Sequence, residues 1–358
     1  MDMQKGYMDL LLGFIGFTDI RPIVVAFRVF TQLVILFAFL AGRENSGQNS
    51  LLAQSPFPPF SIASIDEVLA ADASRDKEVL DPIATFPVET PLGQLNNSIF
   101  RDVMAPNWRW KFLPKGFLYH TYWASVAEPR LSTRAIDDFG GHQSLDSQIG
   151  GRLGIVRFGD TEAQEGFQLD LLGGANLRQN IDTSDWDMTG TDYRFDIPLT
   201  YRRGPHAWKV GFYHVSSHMG DEFLAHNPTV QRIDYFRHSL YFGYSYYVTP
   251  QFRVYGEVDY AFSRDFAKAW HLQFGFDWGP VQPTGTRGAP FLAINGHLRE
   301  ELHFGGNVSL QTGWAWKGEG MDAGTLRTGL FFYNGGSPQF SFYQQNEQLL
   351  GWGLWYDF

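Results

Sequence analysis

One stretch of the chain gathers side chains able to do chemistry: His214-Val215-Ser216-Ser217-His218-Met219-Gly220-Asp221-Glu222. A serine hydroxyl is a poor nucleophile until a base takes its proton, and histidine is the usual base. In an extended chain, residues two apart share a face, about 6.6 Å from one another along the strand. His214 and Ser216 therefore read as base and nucleophile of a serine esterase. Such a pair needs a third group to orient the imidazole. Asp234 is the first choice for that role, with His238 and Glu222 as alternatives. Asp221 and Glu222 could also bind Ca²⁺, a hard cation that prefers oxygen ligands. Equally, they could be two solvated charges on a loop. The chain has no Gly-rich phosphate loop between a strand and a helix, and no His-Glu-x-x-His motif.

The elements that must position these residues show in the alternation. In 252–263, Phe252, Val254, Val258, Tyr260 and Phe262 take one parity while Arg253, Glu257 and Asp259 take the other. In 269–278, Trp270, Leu272, Phe274, Phe276 and Trp278 alternate with His271, Gln273 and Asp277. In 192–202, Tyr193, Phe195, Ile197, Leu199 and Tyr201 alternate with Asp192, Arg194 and Asp196. Successive side chains of a strand point to opposite faces, so one face is apolar and the other carries charges of both signs. Runs of this length suit tilted strands crossing a bilayer, which takes roughly 9–11 residues. Trp and Tyr near strand ends, as at Trp270, Trp278 and Tyr201, fit interfacial girdles. The expectation is an all-β, antiparallel transmembrane barrel of about twelve strands. Strands are predicted near 116–125, 150–158, 166–177, 192–203, 206–218, 235–248, 251–263, 268–278, 289–299, 306–316, 324–333 and 348–358. The interior charges either line a pore or pair across it and close it, and their mixed signs favour pairing.

Composition agrees. Aromatic residues make up 16% and glycine numbers 38, yet mean hydropathy is −0.22, which excludes a chain of helical membrane spans. There is no cysteine, hence no disulfide framework. A net charge of −10 argues against nucleic acid as a partner. Near the N-terminus, Arg21 and Arg28 precede an apolar run, Val29 to Ala41, of signal-peptide length. The expected organisation is a signal segment over 1–53, an irregular periplasmic segment over 54–112, and the barrel over 113–358.

The chain ends GWGLWYDF, with Leu350, Trp352, Leu354, Tyr356 and Phe358 on one face. This resembles the C-terminal targeting strand of bacterial outer-membrane proteins. Gly353, Tyr356 and Phe358 match its glycine and two aromatic positions, and Gly351 departs from the usual polar residue. The resemblance implies the outer-membrane assembly machinery and outer-membrane lipids as partners. The segments LPKGFLYHTYWASVAEPRLST (113–133) and YHVSSHMGDEF (213–223) resemble an uncharacterised bacterial family of outer-membrane barrels. The His-x-Ser spacing near the outer end of a barrel strand also resembles outer-membrane phospholipase A and the lipid A deacylase. That local likeness implies a lipid-facing acyl hydrolase, with a homodimer as the form that would complete its site. Two readings follow: a barrel without catalysis, serving as narrow channel or structural protein, or an outer-leaflet lipid acyl hydrolase.

Overall fold

A computed structural model describes residues 108–160, 162–320 and 323–358. The signal segment and all but the end of the irregular segment lie outside the described residues. Thirteen strands form one antiparallel sheet. After a short β1 (Arg109–Phe112) come β2 (Leu131–Asp137), β3 (Gln143–Asp160), β4 (Glu165–Asn180), β5 (Met188–Arg203) and β6 (His206–Met219). There follow β7 (Tyr235–Thr249), β8 (Phe252–Asp265), β9 (Trp270–Trp278), β10 (Ala289–Arg299), β11 (Gly306–Lys317), β12 (Thr325–Gly336) and β13 (Asn346–Asp357). Sequence neighbours pair from β2 through β13, and β13 returns to pair with β2, from Tyr356↔Leu131 to Leu350↔Asp137. Twelve strands thus close into a barrel, which leaves them without unpaired edges.

The alternation sets the two faces as expected. Val210, Leu240, Phe242, Phe274, Leu330, Leu350 and Trp352 stand exposed on the outside. Arg253, Asp259, His271 and Asp277 are buried inside. Aromatic residues gather outside near both rims, with Trp208 against Tyr244 (ring centroids 4.3 Å apart) at one and Trp270 against Tyr260 (4.9 Å) at the other. The rim carrying the C-terminus, here the lower rim, holds tight connections such as Gly204-Pro205. The upper rim holds the longest, 220–234, with one helical turn, α1 (Asp221–His226).

One predicted strand is not a strand. Residues 116–125 carry no β-structure, and the wall strand assigned to them is β2, inside the stretch read as a loop over 126–149. β1 and β2 both lie antiparallel along the same side of β3: Arg109–Phe112 opposite Gly159–Val156, and Leu131–Asp137 opposite Ile149–Gln143. They are two pieces of one wall strand. Between them, residues 113–130 leave the wall and pass through the interior, where Leu118, Tyr119, Tyr122 and Ala124 are buried. The physical reason is legible afterwards. In GFLYHTYWAS both parities are apolar, so the segment has no water-facing side to alternate with a lipid-facing one.

The wall makes room for this insert. A Cβ at the inward-facing Gly243 would stand 2.9 Å from the Tyr122 hydroxyl. The upper mouth is filled from the other direction. The β12–β13 connection folds inward, with Phe340 stacked on Tyr235 (5.1 Å, 19°) and the Ser341 amide donating to Ser217 Oγ (2.8 Å).

Candidate functional site

The expected esterase residues lie on the outside of the barrel. On β6, Trp208 and Val210 are exposed, and the same outward parity continues through Phe212, His214 and Ser216, all buried. The register brings His214 opposite His238 on β7 and Phe195 on β5, and sets Ser216 between Phe236 and Tyr193. The His214 and His238 rings are 4.7 Å apart, and Phe212, Phe236 and Phe262 pack around His238. In the β6–β7 hairpin Ser217 pairs opposite Tyr235, so the next step outward would set His218 level with Asp234. Asp234 is therefore level with His218 rather than His214, and it is exposed. Ser216 Oγ makes no hydrogen bond among the described residues. The geometry brings together His214, His238 and Ser216, and leaves Asp234 and Glu222 apart from them.

Asp221 and Glu222 open α1 at the upper rim, both exposed, and Asp221 pairs with Arg232. Among the described residues, no group of three or more His, Cys, Asp or Glu converges as metal ligands do. At the other end of the chain, Tyr356 and Phe358 face outward with rings 5.3 Å apart. Gly353 faces inward, where a Cβ would collide with the indole of the fully buried Trp355.

The densest polar chemistry is in the interior. The charges picked out from alternation face inward and pair: Arg194 with Asp196 (2.9 Å), and Arg253 with Asp277. Asp259 pairs with Arg237, and Glu257 with Lys209 (2.7 Å). Lys209 also reaches Glu128 of the insert (3.2 Å), whose other oxygen accepts from the Tyr122 amide (2.7 Å).

The insert is held mostly by its backbone carbonyls. Arg130 donates to the carbonyls of Trp123 (2.7 Å) and Tyr122 (2.6 Å). Arg253 donates to His120 (2.7 Å) and Thr121 (2.6 Å), and Arg152 to Tyr119 (2.5 Å). Gln148 reaches Val126 (2.6 Å) and Ser309 reaches Ala124 (2.5 Å). A segment without regular structure leaves its carbonyls unpaired, and guanidinium groups from the wall satisfy them with charge-assisted bonds. Tyr122 also stacks on Tyr255 (3.8 Å, 12°) and donates to Glu257 (3.0 Å). Sequence reasoning missed this site because it assigned Tyr119, Tyr122, Glu128 and Arg130 to wall or loop. The available signal was the missing polar parity together with the bracketing Pro114 and Pro129.

Below the insert, a cavity of about 580 Å³ opens at the lower rim, floored by His120, Thr121 and Trp123. Burial, followed by the charges of Arg202, Arg253, Lys317 and Arg152, pushes the His120 imidazole well below its ordinary range, so it is neutral.

A family model described as a protein of unknown function (DUF1207) matches residues 96–358. No curated protein matches the sequence. Among solved structures, outer membrane phospholipase A from Escherichia coli is similar at 12% identity and TM-score 0.41, covering 64% of this chain and 89% of that one. The Salmonella typhi outer membrane phospholipase dimer with bound calcium is similar at 13% identity and TM-score 0.41, covering 67% and 91%. Likeness of this degree carries no argument about function.

Proposed function

The chain belongs to the DUF1207 family, and from that premise we propose that it is an outer-membrane β-barrel of structural kind, kept closed by its own residues 113–130. The observation that carries this reading is the pair of wall arginines, Arg152 and Arg253, gripping the carbonyls of residues 119–121 across the interior, with Arg130 at the insert's own end bonding Tyr122 and Trp123. Placement in a bacterial outer membrane is supported by the exposed apolar outside and by aromatic residues near both rims. The C-terminal Tyr356 and Phe358 support recognition by the assembly machinery, and the apolar outside supports contact with outer-membrane lipids.

The test is ion conductance of the purified, refolded protein in planar bilayers. The wild type should be silent, and a variant with 115–128 replaced by a short Gly-Ser linker and the connection 337–345 cut to a short turn should conduct. Stable conductance by the wild type would overturn the closed-barrel reading.

A lipid acyl hydrolase is not favoured. Asp234 is level with His218 and not with His214, Ser216 Oγ makes no hydrogen bond to a base among the described residues, and Phe236 and Tyr193 flank the serine. The expected outcome is no acyl release from phospholipid, with or without Ca²⁺, by wild type or Ser216→Ala. Release by the wild type that Ser216→Ala abolishes would restore the hydrolase, with His238 or Asp234 beside His214.

A further inference from the structure

Nearly every inward-facing cation of the barrel is matched. Arg134 and Arg178 share Asp146, Arg152 meets Asp170, Arg194 meets Asp196, Arg237 meets Asp259, and Arg327 meets Asp357. Arg157 and Arg299 instead donate to carbonyls, with Arg157 also bonded to Gln168. Two cations differ, and both line the lower cavity. Arg202 lies over the Tyr247 ring (4.4 Å) with no carboxylate at ion-pair distance among the described residues. Among the described residues Lys317 donates to the Ala323 carbonyl (2.5 Å), and Asp357, already paired with Arg327, is the charge that acts on it.

The other lining groups add to this. Of the carboxylates facing the cavity, Asp277 is taken by Arg253 and the Trp123 amide. Asp357 is taken by Arg327 and Arg130. Among the described residues lining the cavity, the one other carboxylate side chain is Glu162, exposed at the open rim. Around His120 the strongest charges are likewise cations, those of Arg202, Arg253, Lys317 and Arg152. A cavity of about 580 Å³ is within the range of small-molecule sites, roughly 300–1,000 Å³.

We propose that the lower cavity binds a small soluble oxyanion, a carboxylate or phosphate, at Arg202 and Lys317. A guanidinium fork and an ammonium are the two side chains best suited to such oxygens. The floor formed by residues 120–123 stops the ligand there, so the site is a receptor pocket rather than a stage in a pore. The anion site goes beyond the closed-barrel reading, whereas its being a receptor pocket and not a stage in a pore rests on that reading.

The experiment is calorimetric titration of the full chain, refolded in detergent, with inorganic phosphate, with succinate, and with putrescine as a cationic control. Saturable binding of phosphate, of succinate or of both, weakening as NaCl rises, is expected, and the preference between them identifies the source of the oxyanion. Arg202→Gln and Lys317→Gln should each weaken binding by about tenfold or more, with heat-modifiable mobility retained. Lys317→Arg, which keeps the charge, should retain most of it. Absence of binding by both anions, tighter binding of putrescine, or affinity unchanged in both glutamine variants would overturn the proposal.

Discussion

At the scale of single residues, the barrel is decided by a few side chains that leave no freedom to their neighbours. Gly353 is one. It faces inward beside Trp355, whose indole occupies the space a Cβ would need. Overpacking a filled interior costs about 1–3 kcal/mol. Gly353→Ala should therefore lower the urea midpoint of refolding into detergent micelles. No assembly machinery is present in that measurement, so an unchanged midpoint would assign the glycine to targeting alone. Arg327 is another: it bonds Asp357, Gln311 and the Trp123 carbonyl, and it is fully buried. Removing one partner of a buried ion pair costs about 3–5 kcal/mol because the other charge is left behind. Here Arg130 remains beside Asp357, at 3.1 Å. Arg327→Ala should thus fall toward the lower end of that range, as read from the same unfolding curves, while the double variant with Arg130→Ala should not refold.

At the scale of elements, the insert 113–130 behaves as a removable part with its own pH response. Burial alone would push the Glu128 carboxyl up, but Lys209 overrides it, with Arg194 and Arg130 adding to the effect, and holds it below the usual carboxylate range. A carboxylate depressed in the folded state contributes stability above its unfolded value, about 4.3, and loses it as pH falls through the folded value. Thermal midpoints should therefore drop below about pH 4 in the wild type. In Glu128→Gln they should be lower at neutral pH and flatter across that acid window. A parallel fall in both proteins would show that the acid sensitivity lies elsewhere. The wall itself was readable: from β3 to β13 the alternation of Tyr193 with Arg194, or Phe274 with Gln273 and Gly275, locates strands and assigns their faces. The insert was not, because strand pattern reports which face a residue takes, and residues 116–125 have only one environment. That Phe236 and Tyr193 would flank Ser216 depended on pairing on both sides of β6, which no single hairpin fixes.

At the scale of the molecule, the barrel combines a greasy outside with an interior that is charged yet nearly self-neutralised. Such a body should require detergent for extraction, and its electrophoretic mobility should change on boiling; a soluble sandwich would show neither. The outward Tyr356 and Phe358 belong to this scale because insertion is the role we propose for them. Phe358→Ala should reduce the amount reaching the outer membrane of cells while leaving refolding into micelles unchanged. Equal loss in both settings would make the residue structural.

The division of one wall strand into β1 and β2 has a kinetic consequence. A segment tethered at both ends to consecutive pieces of the wall cannot be threaded into a finished cylinder from either mouth. It has to be laid on the inner side of the sheet while the sheet is still open, before β13 zips along β2. The final seam is short, running only from Leu131 to Asp137 on the β2 side. Closure is therefore a checkpoint: the last strand can seal only around an interior that is already occupied. Chains arrested just before that step should protect Tyr122 from labelling while β13 is still accessible.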